Sequence, residues 1–185
     1  MDKKILGIDR KDLVFIGRGV EGKVFLTPEG NALKVYRDPG RCKSEYKILK
    51  EMEDNPYFPK VIERKRRYML REYVKGTPIR EYIQKKGLSR DLALNLIEFT
   101  EVFEKLNIKV DGINKHIFIQ EDESIKVVDP RRKKKYKIHR WVLITLKREG
   151  LIEYFLKVLE EERPDQVSKW SKDISKILKK RNKKY

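Results

Sequence analysis

Phe15-Ile-Gly-Arg-Gly-Val-Glu-Gly-Lys-Val-Phe25, followed nine residues on by Lys34 in Asn31-Ala-Leu-Lys-Val-Tyr36, is the stretch on which the reading of this chain turns. Gly17, Gly19 and Gly22 form G-x-G-x-x-G, and Val24 extends it to G-x-G-x-x-G-x-V. The same triplet occurs where a strand leads into a helix, with an acidic residue about 20 positions further on. Here the flanks alternate as strands do: Val14 and Ile16 before the glycines, Val24 and Leu26 after them. Pro28-Glu-Gly30 then turns the chain into a third strand, which carries Lys34. Strand, glycine turn, strand, turn, strand is therefore the expected local order. Glycine lets backbone N–H groups approach an anion closely, and a lysine brings a point charge to its oxygens. The competing reading is a glycine-rich hairpin without a ligand.

A chain of 185 residues can bury a sizeable core, as one domain or as two small lobes. Charged residues (41%) outnumber apolar ones (39%), yet apolar periodicity recurs along most of the length, so a folded protein is expected. Cys42, the single cysteine, has no internal disulfide partner, and with only His116 and His139 beside it a Cys/His zinc cluster is excluded. The first residues, Met1 to Asp9, lack the apolar core of a signal peptide. The longest apolar run, Trp141 to Leu146, is far too short to span a bilayer, so a cytoplasmic location is expected. A net charge of +17 favours an anionic partner, against the plainer reading of a solvated, lysine-rich surface.

After Asp38-Pro-Gly40, read as a turn, a helix is predicted from Arg41 to Asp54 with Tyr46, Leu49 and Met52 on its apolar face. Two strands follow, Lys60–Glu63 and Tyr68–Val74, joined through Arg64–Arg67. Thr77 with Pro78 reads as an N-cap and first helical position. Ser89 opens a longer helix to about Asn107, with Leu92, Leu96, Phe99 (or Ile97), Val102, Phe103 and Leu106 as its apolar stripe. Helices are predicted over Tyr136–Arg148 and Leu151–Glu162. A last one from Pro164 carries Val167, Trp170, Ile174, Ile177 and Leu178.

Ile108-Lys-Val-Asp-Gly-Ile-Asn-Lys-His-Ile-Phe-Ile119 leads through the polar turn Gln120–Ser124 into Ile125-Lys-Val-Val-Asp-Pro130, which places Asp129 18 positions after Asp111. Together with the glycine turn, Lys34 and a glutamate-bearing helix, this order of elements resembles the protein-kinase-like superfamily from about residue 10 to 135. The resemblance implies an α+β, two-lobed fold. An N-terminal antiparallel sheet plus one helix would cover about 1–74, a reduced helical C-terminal lobe 75–163, and a basic helix and tail 164–185. It implies ATP held by Gly17, Gly19, Gly22, Val24 and Ala32, with its adenine edge on Glu72 C=O and Val74 N–H. Lys34, fixed by Glu45 (or by Glu51), would position the α/β-phosphate oxygens. Asp111 would orient an acceptor hydroxyl and take its proton, and Asp129 would hold Mg²⁺ or Mn²⁺.

The sequence departs from the family pattern at several of these positions. Lys109 and Val110 replace the catalytic-loop His and Arg, and Ile113 stands where a lysine is common, with Lys115 as a substitute. His116 replaces the metal-binding Asn. It is expected either to ligate the metal or to hydrogen-bond Asp111, the second being favoured because Mg²⁺ prefers oxygen ligands. Asn114 reads as a turn residue. Asp129-Pro130-Arg131 replaces D-F-G, and Arg71 takes the place of an apolar gatekeeper, where it is expected to reach a carboxylate such as Glu45. The Asp-to-His spacing is similar to that of bacterial lipopolysaccharide-core sugar kinases. The absence of an A-P-E segment and the short helical tail resemble RIO kinases and the small kinase of the tRNA threonylcarbamoylation complex. The expected function is ATP/Mg²⁺-dependent transfer to a hydroxyl, on protein Ser/Thr including its own. The rivals are a small-molecule or glycan kinase and an ATP-binding pseudokinase that binds RNA or a partner. Basic residues 131–137 and 179–184 are the expected polyanion contacts.

Overall fold

The computed structural model describes residues 3–179. It is α+β, with a five-stranded antiparallel sheet and seven α-helices among the described residues. The described chain forms two compact units, one running up to Lys75 and including Lys126–Arg131, the other comprising Gly76–Ile125 and Arg132 to Lys179.

In the first unit a hairpin of β1 (Lys4–Ile5) and β2 (Ile8–Asp9) precedes β3 (Val14–Arg18), β4 (Gly22–Leu26) and β5 (Asn31–Tyr36). Helix α1 (Pro39–Glu51) follows, then β6 (Val61–Lys65) and β7 (Tyr68–Glu72), and the sheet order is β3-β4-β5-β7-β6. The glycine turn thus sits between the edge strand and its neighbour, and Lys34 lies on the central strand. Register sorts the side chains into two faces. Val24, Lys34 and Met69 form one cross-strand row, and Leu26, Ala32, Arg71 and Val61 form the next on the same face. Helix α1 packs on that side. Leu33, Leu70, Phe25, Val35 and Tyr68 face the other way, into a core closed by Ile5, Leu6, Ile8 and Leu13. β5 is consequently buried on both faces.

Helix α1 begins earlier than predicted. Asp38 is its N-cap, accepting from Gly40 N at 2.8 Å and Arg41 N at 3.3 Å, with Pro39 in the first helical position. Its buried face is Cys42, Glu45, Ile48 and Leu49, whereas Tyr46 and Met52 are half-exposed. The stripe is rotated from the predicted one because a neutralised carboxylate, which an apolar count ignores, occupies the inward position. The strand containing Val127 joins this unit through Val127 N–H to Tyr57 O, 2.8 Å.

The second unit starts with β8 (Thr77–Pro78), α2 (Ile79–Lys86) and α3 (Arg90–Leu106), continues through β9 (Ile108–Val110), α4 (Ile113–His116) and β10 (Ile117–Ile119), and ends in α5 (Ile138–Arg148), α6 (Ile152–Glu162) and α7 (Pro164–Lys179). Thr77 does not cap α2. It pairs with Ile119 in the β8–β10 ladder, and Pro78 holds the cap position without a side-chain bond. Ser89 does cap α3, its Oγ accepting from Leu92 N at 2.9 Å. Leu96, Phe99 and Phe103 of α3, Leu143 of α5 and Phe155 of α6 are sealed from solvent. α7 packs on α5 and α6 through Trp170, Ile174 and Ile177, while Leu178 is 44% exposed instead of joining that stripe.

A buried polar node ties α3, α5 and α7 together. The His139 ring stacks on Trp170 at 4.7 Å, with Glu104 on Nδ1 and Asp173 on Nε2 at 3.1 Å. Asp173 also accepts from Lys137 (3.0 Å) and Arg140 (2.9 Å). Burial pushes its carboxyl up, but the hydrogen bonds from Lys137 and His139 and the Lys137 and Arg140 charges outweigh that and hold it below the ordinary range. The node's contribution is therefore complete above about pH 4, the unfolded aspartate value, and is lost as pH falls through the lowered one. Thermal melts followed by tryptophan fluorescence should show Tm dropping in that acid range. Asp173→Asn should lower Tm by a few degrees at neutral pH and flatten the acid limb. An unchanged acid limb in the variant would remove Asp173 as its cause.

Candidate functional site

Lys34 is 3% exposed, and its charge is held from two directions. Its Nζ donates to Glu45 Oε2 on α1 at 2.9 Å and to Asp129 Oδ1 at 2.5 Å, a residue 95 positions away in sequence. Burial disfavours the ammonium, yet the charges of Glu45 and Asp129 more than compensate and raise the Lys34 pKa above its ordinary value. Glu45, also 3% exposed, is shifted upward, chiefly because it is desolvated. Glu51 is exposed, so Glu45 is the helical partner of Lys34. Asp129 takes a left-handed φ of 59°, a conformation that aspartate tolerates better than most residues.

A third carboxylate comes from inside the glycine turn. Glu21 lies 3.7 Å from Lys34 Nζ and accepts from Arg41 Nε (3.0 Å) and Nη2 (2.5 Å), and from Arg131. Lys34, Arg41 and Arg131 thus converge on one acidic side chain held between Gly19 and Gly22. The sequence reading missed Glu21, Arg41 and Arg131 in this role. The only signal was the position of Glu21 within the turn, because charge-reversed residues 20 and 110 positions apart follow no local spacing.

The three glycines are not equivalent. None takes a left-handed φ. A Cβ at Gly17 or Gly19 would meet nothing within 4 Å, so there is open space beside them, while Gly17 pairs with Val24 in the ladder and the Gly19 N–H donates to Gly22 O at 2.9 Å. At Gly22 a Cβ would lie 2.1 Å from Val35 O. Val24 and Leu26 are half-buried and Ala32 is 2% exposed on the same face as Lys34, an apolar floor beside the charged end. After β7 the Val74 N–H meets no backbone acceptor among the described residues, and the Glu72 carboxylate accepts from Lys60 N at 3.0 Å.

Arg71 is the departure in this unit. It is 4% exposed and its Nε is sealed without a hydrogen-bond partner among the described residues. It does not hydrogen-bond Glu45 as expected, although its charge opposes the upward shift that burial gives the Glu45 carboxyl.

The second unit places Asp111 at the end of β9, beside an ion pair with Lys109. Gly112, at φ 63°, starts the single turn of α4, and His116 Nδ1 bonds the Asp111 backbone carbonyl. Since a carbonyl only accepts, Nδ1 carries the proton. The expected His116–Asp111 bond is thus made to the main chain. Asn114 Oδ1 accepts from Thr145 Oγ1 at 3.1 Å, which anchors α4 on α5, and Lys115 is exposed. The Tyr136 hydroxyl is pushed up to about 12, by burial first and then by the Asp111 charge.

The basic run 131–137 is partly engaged. Arg131 binds Glu21, Arg132 caps α3 at Leu106 O (2.9 Å), and Lys137 pairs with Asp173. Of the run 179–184, only Lys179 lies within the described residues. No helix among the described residues is long and apolar enough to cross a membrane. No cluster of three or more metal-ligating His, Cys, Asp or Glu occurs among them either.

No protein-family model matches this chain, and no curated protein matches it significantly.

Proposed function

We propose that the chain is a kinase-like phosphotransferase that moves the γ-phosphate of a purine nucleoside triphosphate, in the simplest case ATP, to a hydroxyl. The observation that carries this reading is the buried Lys34, held at once by Glu45 and by the distant Asp129 beside an open glycine turn. A hairpin without a ligand has no need of a desolvated lysine between two acids, because burying an ion pair costs more than its attraction usually returns. The open space beside Gly17 and Gly19 would let phosphates approach the turn closely, with Lys34, Arg41 and Arg131 supplying positive charge once phosphate oxygens replace the Glu21 carboxylate.

Asp129 fits a magnesium ion shared with substrate. It supplies one hard oxygen, and Mg²⁺ is commonly held by one or two carboxylates plus phosphate oxygens, not by a full protein cage. When bound, the ion would neutralise charge on the transferred group. His116, an imidazole with Nδ1 already engaged, suits the positioning of the Asp111 loop better than it suits Mg²⁺. Asp111 would accept the proton of the acceptor hydroxyl. Protein serine or threonine is the favoured acceptor, with a sugar or other small hydroxyl as the rival.

Wild-type protein, Asp111→Asn and Asp129→Asn should be incubated with γ-labelled nucleotide and Mg²⁺ or Mn²⁺. Transfer is expected in wild type and in neither variant. Transfer that survives in both would overturn the assigned roles. A second reading, a nucleotide-binding module for polyanions, rests on a cavity of about 340 Å³ lined by Arg37, Arg66 and Arg67 with Pro39 and Tyr68. Absence of transfer, together with RNA binding that weakens steeply with salt, would favour it.

A further inference from the structure

We infer that the base site selects guanine over adenine, and that Arg71 is the residue that makes the choice. This rests on the nucleotide reading above and names which purine the same site takes.

Arg71 stands in the cross-strand row Leu26, Ala32, Arg71, one row along from Val24, Lys34, Met69 and on the same face of the sheet. Two residues of strand separate the rows, about 6.6 Å. A nucleotide with its phosphates at Gly17, Gly19 and Lys34 therefore lays its base over Leu26 and Ala32. One edge of the base then faces Arg71.

A guanidinium has five donors and no acceptor. In this fold it is 4% exposed, its Nε is sealed from solvent, and no hydrogen bond or ion pair within 4 Å reaches it from the described residues. Nothing in its own row is acidic, and on the next row it faces another cation, Lys34. Its acidic neighbour Glu45 feels its charge but gives it no hydrogen bond and is itself committed to Lys34. A buried cation left this way is costly unless a ligand brings the acceptors. Adenine brings N7 but opposes the guanidinium with its N6 amino donor. Guanine presents O6 and N7, two acceptors at the spacing of the arginine fork. The group that completes Arg71 is thus the six-oxo edge of a purine.

Binding of GTP, ITP and ATP to the full chain, measured by calorimetry with Mg²⁺ present, tests this. ITP shares O6 and N7 with guanine and lacks its N2 amino group, so it isolates the edge in question. GTP and ITP should bind on the order of tenfold or more tighter than ATP, and Arg71→Met should abolish the difference. Arg71→Met should also melt no lower than wild type, since it removes a buried charge that no hydrogen bond compensates. If Arg71 merely braced Glu45, the variant would melt lower and its base preference would be unchanged, which overturns the inference. ATP binding as tightly as GTP in wild type overturns it too, while leaving the nucleotide reading intact. Failure of all three nucleotides to bind overturns both.

Discussion

Lys34→Met should cost about 3–5 kcal/mol of stability and bring phosphoryl transfer to background. The loss follows from what is left behind. Glu45 at 3% exposure and Asp129 would face each other without the cation that now sits 2.9 Å and 2.5 Å from them. Protonation would relieve part of the penalty, and Glu45 is already shifted towards its neutral form by burial. Because Lys34 is held protonated beyond the ordinary lysine range, its contribution is complete at neutral pH. It should fade only as the pH climbs past about 10.4 through the raised value. Urea unfolding of Lys34→Met, Glu45→Met and the double variant provides the check. The double variant should recover most of the lost stability, since an apolar pair of similar volume often replaces a buried ion pair without cost. It should recover no transfer. Additive losses in the double variant would mean that Lys34 and Glu45 do not act as a pair.

Gly22→Ala should destabilise the first unit by about 3 kcal/mol, whereas Gly17→Ala and Gly19→Ala should leave stability within about 0.5 kcal/mol of wild type. A Cβ on Gly22 would sit 2.1 Å from Val35 O, 2.9 Å from Val35 C and 3.0 Å from Tyr36 Cα, all main-chain atoms that cannot rotate away. β4 and β5 would have to separate where Gly22 pairs with Tyr36, two residues from Lys34. Gly17 and Gly19 have open space where a Cβ would go, so a methyl there should weaken phosphate binding and leave the fold alone. Thermal melts beside nucleotide titrations separate the two effects. Equal Tm losses at all three glycines would mean that the turn is purely a packing device.

Most of the sheet was legible in the sequence. Val14, Ile16, Val24 and Leu26 alternate around the glycines, and Pro28 to Gly30 makes the turn, so β3, β4 and β5 follow from local chemistry. Ser89 and the α3 stripe were equally plain, because cap and periodicity lie within one helix. Local signals misled where a residue had a stronger non-local use. Thr77 has the chemistry of an N-cap, but its backbone is drawn into a ladder with Ile119. Asp38 looked like part of a turn, and it caps α1 because a helix forms on the sheet behind it.

For the site, local pattern determined that a glycine turn, Lys34, Glu45, Asp111 and Asp129 occur in this order, each on a strand, helix or loop suited to it. Only the tertiary structure decided that Glu45, not Glu51, meets Lys34, that Asp129 joins them across 95 residues, and that Glu21 gathers Arg41 and Arg131. It also decided that Arg71 is buried with its Nε lacking a hydrogen-bond partner among the described residues. The physical reason is the range of the interactions. Hydrogen-bond periodicity and turn chemistry act over a few residues and are written into the sequence in their own neighbourhood. Charge pairing depends on distance in space, and which charges become neighbours is settled only when the strands and helices have packed.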